Sequence, residues 1–161
     1  MTRDSMRHVV CTGWQGDYRD PGYFDRQQDW IRRHRLERRI RILGLLSRAD
    51  QVQLIRRAAA VLQPSLFEGW SLLVEDARAL GKRIYLSDIP VHREQAPSNA
   101  SFFPAGRADL LAEQIAGDWP ALEPGPSTTL EAVGRIEQQR RGLEFARAIE
   151  AVVSKAVSSH Q

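Results

Sequence analysis

The chain has 161 residues, of which 42% are hydrophobic and 27% are charged, and its formal net charge is +3. This length suits one domain with a single core, and this balance excludes an intrinsically disordered chain. No apolar stretch approaches the ~20 residues of a membrane-spanning helix, and the N-terminus has no pattern of a secretory signal. The single cysteine, Cys11, cannot form an internal disulfide. We expect it to be buried on a strand, in a cytoplasmic protein.

Arginine dominates the basic residues, because only Lys82 and Lys155 are lysines. Six arginines cluster between Arg32 and Arg41. Such a cluster suits a nucleic-acid or acidic-lipid surface, but no aromatic residues are interleaved with it and no known nucleic-acid module surrounds it. We therefore interpret it as a solvated helix end followed by a strand, and we expect no nucleic-acid partner.

Strand and helix patterns alternate along the first half of the chain. Four apolar, partly β-branched runs predict strands, at 8–13, 39–44, 59–64 and 83–87. Three segments with helical spacing lie between them, at 23–37, 51–58 and 71–80. Asp50 suits the N-cap of the second helix, and Gly81 suits the C-cap of the third. Because parallel strands need helical crossovers, the alternation predicts an α/β fold, a doubly wound parallel sheet with buried strands and helices on both faces.

The second half of the chain adds less regular elements. Residues 101–103 predict a weak edge strand, and residues 107–117 predict a further helix. The stretch 119–129 is rich in Pro, Gly, Ser and Thr, which indicates a connector rather than core. From residue 130 the pattern predicts one long amphipathic helix, with apolar positions at Val133, Ile136, Leu143, Phe145, Ile149, Val152 and Val153. We therefore divide the chain into a domain at 1–118, a connector at 119–129 and a C-terminal helix at 130–161.

In doubly wound sheets, ligands bind beyond the carboxyl ends of the strands, at helix N-termini. Of the predicted strand ends, the segment 64–71 carries the most informative residues. Gly69 lacks a Cβ, so a ligand can approach the backbone closely. Free N–H groups near Trp70, Ser71, Leu72 and Leu73 would face an anion at the positive end of the helix dipole. Ser71 suits either an N-cap or a contact to a phosphate oxygen.

Two carboxylates, Glu75 and Asp76, follow inside the predicted helix. A carboxylate at this place suits a ribose diol, since each oxygen can accept a hydrogen bond from one hydroxyl. Taken alone, the pattern fits an anion-binding turn and a well-capped helix with solvent-facing acids equally well.

The wider segment PSLFEGWSLLVEDARALGKRIYLSDIP, at 64–90, closely resembles the signature of the GT-B glycosyltransferases of family 4. In that signature an acid, a glycine, an aromatic residue and a small residue precede a second acid eight residues after the first. Here the first acid is Glu68 and the second is Asp76, where the family usually has Glu. Either Asp76 substitutes with a shorter reach, or the neighbouring Glu75 takes part. Consecutive helical residues diverge by about 100°, so both cannot face the ligand, and the register favours Asp76.

The resemblance extends over about residues 8–117. The segment 39–65 is similar to the family's strand, glycine, helix and strand before the acidic loop. IPVHREQ, at 89–95, resembles the corresponding segment in a bacterial branch of the family.

This resemblance implies the Rossmann-like C-terminal half of a GT-B fold, which binds the nucleotide-sugar donor. The enzyme it implies is a retaining glycosyltransferase that moves a sugar from the donor to an unknown acceptor, with no metal ion and no other cofactor. Glu68 would be the catalytic acid residue that binds the donor sugar. Further donor contacts would come from Gly44 and Leu45 at the nucleobase, from Gly69, Trp70, Ser71 and Leu72 at the diphosphate, and from Asp76 or Glu75 at the ribose.

Two parts of the family pattern are missing from this sequence. The Gly-Arg…Lys pattern that clamps the diphosphate is not found, and 8–13 resembles the strand after the one that carries it. The N-terminal domain, which binds the acceptor, is also missing or separate. We therefore expect a donor domain that is incomplete at its N-terminus and does not transfer sugar by itself. The family's lipid acceptors suit peripheral membrane association of the full enzyme.

The alternative is a non-catalytic nucleotide-sugar-binding module or subunit. A flavodoxin-like receiver ranks last, because the first strand end has no acidic cluster. We expect His92 to lie in a surface loop rather than to act in catalysis. Without the N-terminal domain, we expect the apolar stripe of the last helix to be partly exposed, which favours self-association.

Overall fold

The computed structural model of the chain describes residues 8–158, with side chains from 8 to 155. Strands and helices alternate along it, and every strand pairing is parallel. The chain divides into two compact units, one ending at Gln51 and one beginning at Val52. The fold is therefore α/β, as the sequence predicts.

The first unit contains two strands and one helix. Strand β1 (Val9–Cys11) pairs with β2 (Ile40–Ile42), and helix α1 (Tyr23–Arg33) lies between them in the chain. α1 buries Ile31 and ends with arginines in its last turn, at the helix end that favours positive charge.

Strand β1 is exposed, which contradicts the expectation of a buried strand. Val9 and Val10 are 43% and 39% exposed, and Cys11 is exposed as well. An open groove of about 240 Å³ separates Cys11 and the β2 isoleucines from α1, so the helix does not close over the strands. The apolar run therefore predicted the strand correctly, but the prediction that the strand is buried is wrong.

Helix α2 (Arg48–Arg57) spans the boundary of the two units. Its N-cap is Ser47, whose hydroxyl oxygen accepts a hydrogen bond from the Asp50 N–H at 3.1 Å. The Ser47 hydroxyl also donates to the Asp50 carboxylate at 2.7 Å. The predicted cap at Asp50 is thus wrong by one turn, because serine at the N-cap position can accept from the N3 amide.

The second unit contains three parallel strands in the order β3-β4-β5. They are β3 (Val61–Gln63), β4 (Ile84–Ser87) and β5 (Ala100–Phe103). The connecting helices are α3 (Leu72–Ala79), α4 (Pro90–Gln95) and α5 (Ala108–Asp118). Where the sequence predicts one sheet, the described strands form two.

The sheet of the second unit is covered on both faces, because alternate residues of β4 enter different clusters. Ile84 and Leu86 pack with Ile55 of α2 and Val74 of α3. Tyr85 packs on the other face in a cluster that also includes side chains of α5. The Tyr85 hydroxyl donates to Asp118 at 2.8 Å, and burial raises the pKa of Tyr85 to about 12.

The predicted connector contributes to the core. A 3₁₀ turn at Trp119–Ala121 leads to Leu122, which is buried against Tyr85 and Phe103. The Pro-rich composition of 119–129 identified a connection between elements, but it did not exclude burial.

Helix α6 (Thr128–Ser158) packs on α3 along a narrow polar stripe. Glu131 and Gly134 are buried on this stripe, and Arg56 donates two hydrogen bonds to the Glu131 carboxylate. From Gly142 to Lys155 every residue is exposed. The apolar stripe expected to be exposed is exposed, with Val133 at 56%, Ile136 at 66% and Phe145 at 68%. Within the described residues, no helix combines the length and the apolar character needed to cross a membrane.

Candidate functional site

The loop at 64–71 leaves the carboxyl end of β3 and enters α3. It lies beside the end of β4, where the Ser87 hydroxyl donates a hydrogen bond to the Ser65 carbonyl. Ser87 is the last residue of β4 and is fully buried. Because neighbouring parallel strands end at the same edge, the loop occupies the place where α/β sheets bind their ligands.

Glu68 is anchored in this loop through one carboxylate oxygen. Its Oε1 accepts a hydrogen bond from the Ser65 hydroxyl at 2.6 Å and another from the Gln63 side-chain amide. The side chain is 17% exposed. Its Oε2 accepts no hydrogen bond from the described residues. The arrangement holds a carboxylate with one oxygen fixed and the other available as an acceptor.

His92 lies behind Glu68 and is fully buried. Its Nδ1 is 2.8 Å from the Ser87 carbonyl oxygen, and its Nε2 is 3.9 Å from Glu68 Oε2. The expectation of a surface-loop histidine is wrong. The segment after β4 folds into the short helix α4, which begins with Pro90 and turns His92 into the protein.

Gln95 holds the other end of the loop. Its amide oxygen accepts from the Ser71 N–H at 3.2 Å, and its amide nitrogen donates to the Ser71 carbonyl at 2.9 Å. The prediction of a free N–H at Ser71 is therefore wrong, because the buried Gln95 amide satisfies that peptide group.

His92 and Gln95 are three residues apart on α4, so they lie on the same face of the helix. One of them faces Glu68 and the other binds Ser71. Helix α4 thus fixes the loop at two points, and both contacts come from the segment at 89–95. The sequence signal for these residues was the resemblance of that segment alone, since nothing in their spacing indicated burial.

Gly69 is open to solvent between these two points. A Cβ added at this residue would meet no atom within 4 Å, and its φ lies outside the left-handed region. Neither the packing of the described chain nor the backbone conformation requires a glycine here. Apolar side chains around it are exposed, with Phe67 at 87%, Trp70 at 47% and Leu72 at 71%.

Ser71 occupies the N-cap position of α3, but its side chain makes no capping hydrogen bond. It is also buried, with 3% of its surface exposed. The N–H groups of the first turn, from Leu72, therefore have no side-chain cap at Ser71, and the acidic residue of that turn is Glu75.

The two acids of α3 differ in what surrounds them. Glu75 forms an ion pair with the buried Arg78 at 3.2 Å and accepts a hydrogen bond from Gln95 at 2.8 Å. Burial lowers the pKa of Arg78, and the charge of Glu75 opposes this shift. Glu75 therefore contacts groups inside the protein. Asp76, like Glu75, is half-buried.

Gly44 and Leu45 lie in the first unit, after β2. Gly44 has a φ of 71°, and its carbonyl accepts a hydrogen bond from the Gly13 N–H at 2.9 Å. The left-handed conformation by itself requires glycine at this position. Leu45 is 73% exposed.

The described residues contain no group of three or more histidine, cysteine or acidic side chains that could hold a metal ion. The fold and the loop define an α/β chain with parallel strands and a fixed carboxylate at a strand end. No protein-family model matches the chain, and no curated protein matches it.

Proposed function

We propose that the chain is the nucleotide-sugar-binding domain of a GT-B glycosyltransferase similar to family 4. Its donor site is the loop and helix start at 68–76. The parallel strands and alternating helices suit a Rossmann-like donor domain. The observation that carries the proposal is the Glu68 carboxylate, which is fixed through Oε1 and leaves Oε2 as an acceptor.

Glu68 binds the hydroxyl groups of the donor sugar in this proposal. A carboxylate oxygen accepts strongly from a hydroxyl, and an anchored carboxylate loses little rotational freedom on binding. Its place at the carboxyl end of β3 supports this role.

The diphosphate lies over Gly69 and the N-terminus of α3. The open space at Gly69 lets phosphate oxygens approach the backbone, and the uncapped N–H groups from Leu72 onward supply donors. This chemistry needs no metal ion, because helix dipoles and donors stabilise the charge of the leaving diphosphate. The Ser71 N–H is excluded from this set by its bond to Gln95.

Asp76 binds the ribose diol, as its register in the family's signature, eight residues after Glu68, indicates. In the complete enzyme the domain works with an acceptor-binding domain, and the reaction is a retaining sugar transfer.

A nucleotide-sugar-binding module without transferase activity is the second candidate. The observation that favours it is that the Gly-Arg…Lys pattern of the family's diphosphate clamp is not found in this sequence. Incubating the chain with nucleotide sugars tests the enzyme candidate in one direction. Hydrolysis or transfer would favour the enzyme, whereas binding without turnover agrees with both candidates, because the donor domain is not expected to transfer sugar by itself.

Calorimetric titration tests donor binding itself. We expect the chain to bind UDP-glucose or GDP-mannose, and we expect Glu68→Gln to weaken that binding by about tenfold. The matched control is Glu113→Gln, which removes an exposed carboxylate from α5. If none of these nucleotide sugars bound, or if both variants weakened binding equally, the proposal would be rejected.

A further inference from the structure

His92 has one ring nitrogen whose role is set by its surroundings. Nδ1 lies 2.8 Å from the Ser87 carbonyl oxygen, and a carbonyl oxygen can only accept. The ring proton is therefore on Nδ1, which donates to the end of β4. This bond holds the imidazole plane and directs the other nitrogen towards the loop.

The second nitrogen, Nε2, is buried and has no hydrogen-bond partner among the described residues. The group it faces is Glu68 Oε2 at 3.9 Å. A buried polar atom without a hydrogen-bond partner lowers the stability of the folded protein. Such an atom therefore calls for an explanation, for example a functional role. Because Nδ1 already carries a proton, Nε2 attracts the carboxylate oxygen only in the imidazolium form, which carries a proton on both nitrogens.

We propose that His92 is a positioning residue for Glu68, an inference that rests on the proposed binding of the donor sugar by that carboxylate. Gln63 and Ser65 hold Oε1, and His92 sets the direction of Oε2 from behind. The carboxylate is thereby presented to the sugar in one orientation. His92 itself does not touch the ligand, because Nε2 is buried.

Two substitutions test the roles of the two ring nitrogens separately. His92→Asn keeps an amide near the place of Nδ1, so the bond to Ser87 can remain, and it removes the group that faces Glu68. His92→Gln places an amide near Nε2 and keeps a group towards Glu68. Thermal unfolding of both variants establishes that each is folded.

The first measurement needs no ligand. Nitrogen resonances of the histidine rings are recorded for the full chain, and His92→Asn assigns those of His92. We expect Glu68→Gln to shift the His92 Nε2 resonance, whereas Glu113→Gln leaves it unchanged. An Nε2 resonance that does not respond to Glu68→Gln would overturn the inference.

The second measurement compares the affinities for UDP-glucose and UDP, or for GDP-mannose and GDP, by calorimetry. We expect His92→Asn to reduce the preference for the sugar-bearing ligand by about tenfold, with the affinity for the bare nucleotide unchanged. His92→Gln should restore most of the preference. Equal weakening of both ligands, or an unchanged preference in His92→Asn, would overturn the inference. So would a chain that binds the nucleotide and its sugar conjugate equally.

If the unmodified chain bound neither class of ligand, the proposed donor function would fail. The ring resonance would then still decide whether His92 acts on Glu68, with a shift in Glu68→Gln supporting that contact and no shift overturning it.

Discussion

At the scale of single residues, Gly69 differs from the glycines that the backbone conformation or the packing requires. Gly44 needs its left-handed backbone, and Gly134 has no room for a Cβ. Gly69 has neither constraint, and it stands between the fixed carboxylate of Glu68 and the start of α3. In the proposed function, a diphosphate that approaches the backbone would account for the glycine at this position.

Gly69→Ala tests this explanation. We expect the free energy of unfolding to change by less than about 1 kcal/mol, because the new methyl group meets no protein atom. Binding of UDP or GDP should weaken by about tenfold or more, since the methyl group enters the space of the diphosphate. Gly117→Ala on α5 is the control and should leave binding unchanged. Unaltered nucleotide affinity in Gly69→Ala would remove the diphosphate from this position.

Glu75 and Asp76 are adjacent, and the proposed function gives them different roles. Glu75→Gln loses the ion pair with buried Arg78, and we expect stability to fall by about 2 kcal/mol. Asp76→Asn should weaken nucleotide binding more than Glu75→Gln does. Urea unfolding and calorimetry on both variants check these outcomes. A larger loss of binding in Glu75→Gln than in Asp76→Asn would contradict the assignment of the ribose to Asp76.

The loop of the candidate site could be predicted from the sequence, but the residues of α4 that contact the loop could not. Glu68, Gly69 and Ser71 are contiguous, so their order along the chain was sufficient to single them out. His92 and Gln95 act across 24 residues, on a loop that they meet only after the chain folds. Their burial depends on how α4 packs, and a histidine followed by charged residues resembles a surface segment.

At the scale of elements, the docking of α6 on α3 depends on close backbone contact. A Cβ at Gly134 would overlap with the Arg78 carbonyl oxygen and lie 2.7 Å from that of Ala79. Both atoms belong to the backbone of α3, so they cannot move aside independently. The helix therefore needs glycine at this crossing.

Gly134→Ala should destabilise the chain by about 1–3 kcal/mol, because the added methyl group pushes α6 away from α3. Gly142→Ala, further along the same helix, has open space and should stabilise it by about 0.5–1 kcal/mol. Chemical unfolding of the two variants measures the difference. Equal stabilisation by both substitutions would show that α6 does not pack on α3 as described.

The elements themselves follow largely from periodicity. Each predicted strand and helix has a counterpart within a few residues, including the weak strand at β5. The exceptions have separate causes. α4 has six residues, too few for a helical period to be recognised. Val9 and Val10 face opposite sides of the sheet and both are exposed, so β1 lacks close packing on either face, which no local pattern records.

At the scale of the whole molecule, the apolar stripe of α6 is the largest departure from a self-contained fold. Phe145, Ile149 and Val152 share one face of the helix and are between 47% and 69% exposed. Exposed apolar side chains on one helix face favour association between chains.

We expect sedimentation experiments to show self-association that grows with protein concentration. The double variant Phe145→Glu with Ile149→Lys should lower the association constant at least about tenfold, because charged side chains oppose burial. Arg147→Glu changes charge on the same helix and serves as the control. A chain that remains monomeric at high concentration, or an association equally sensitive to Arg147→Glu, would contradict this role of the stripe.

In the proposed function a nucleotide sugar binds at 68–76. Titrating the nitrogen-labelled chain with UDP-glucose and GDP-mannose, and following the backbone amide resonances, tests this binding. We expect one of these ligands to shift the amides of Gly69, Trp70, Leu72, Leu73 and Asp76 in a saturable manner. Amides of this segment that stay unshifted at saturating concentrations of both ligands would contradict it.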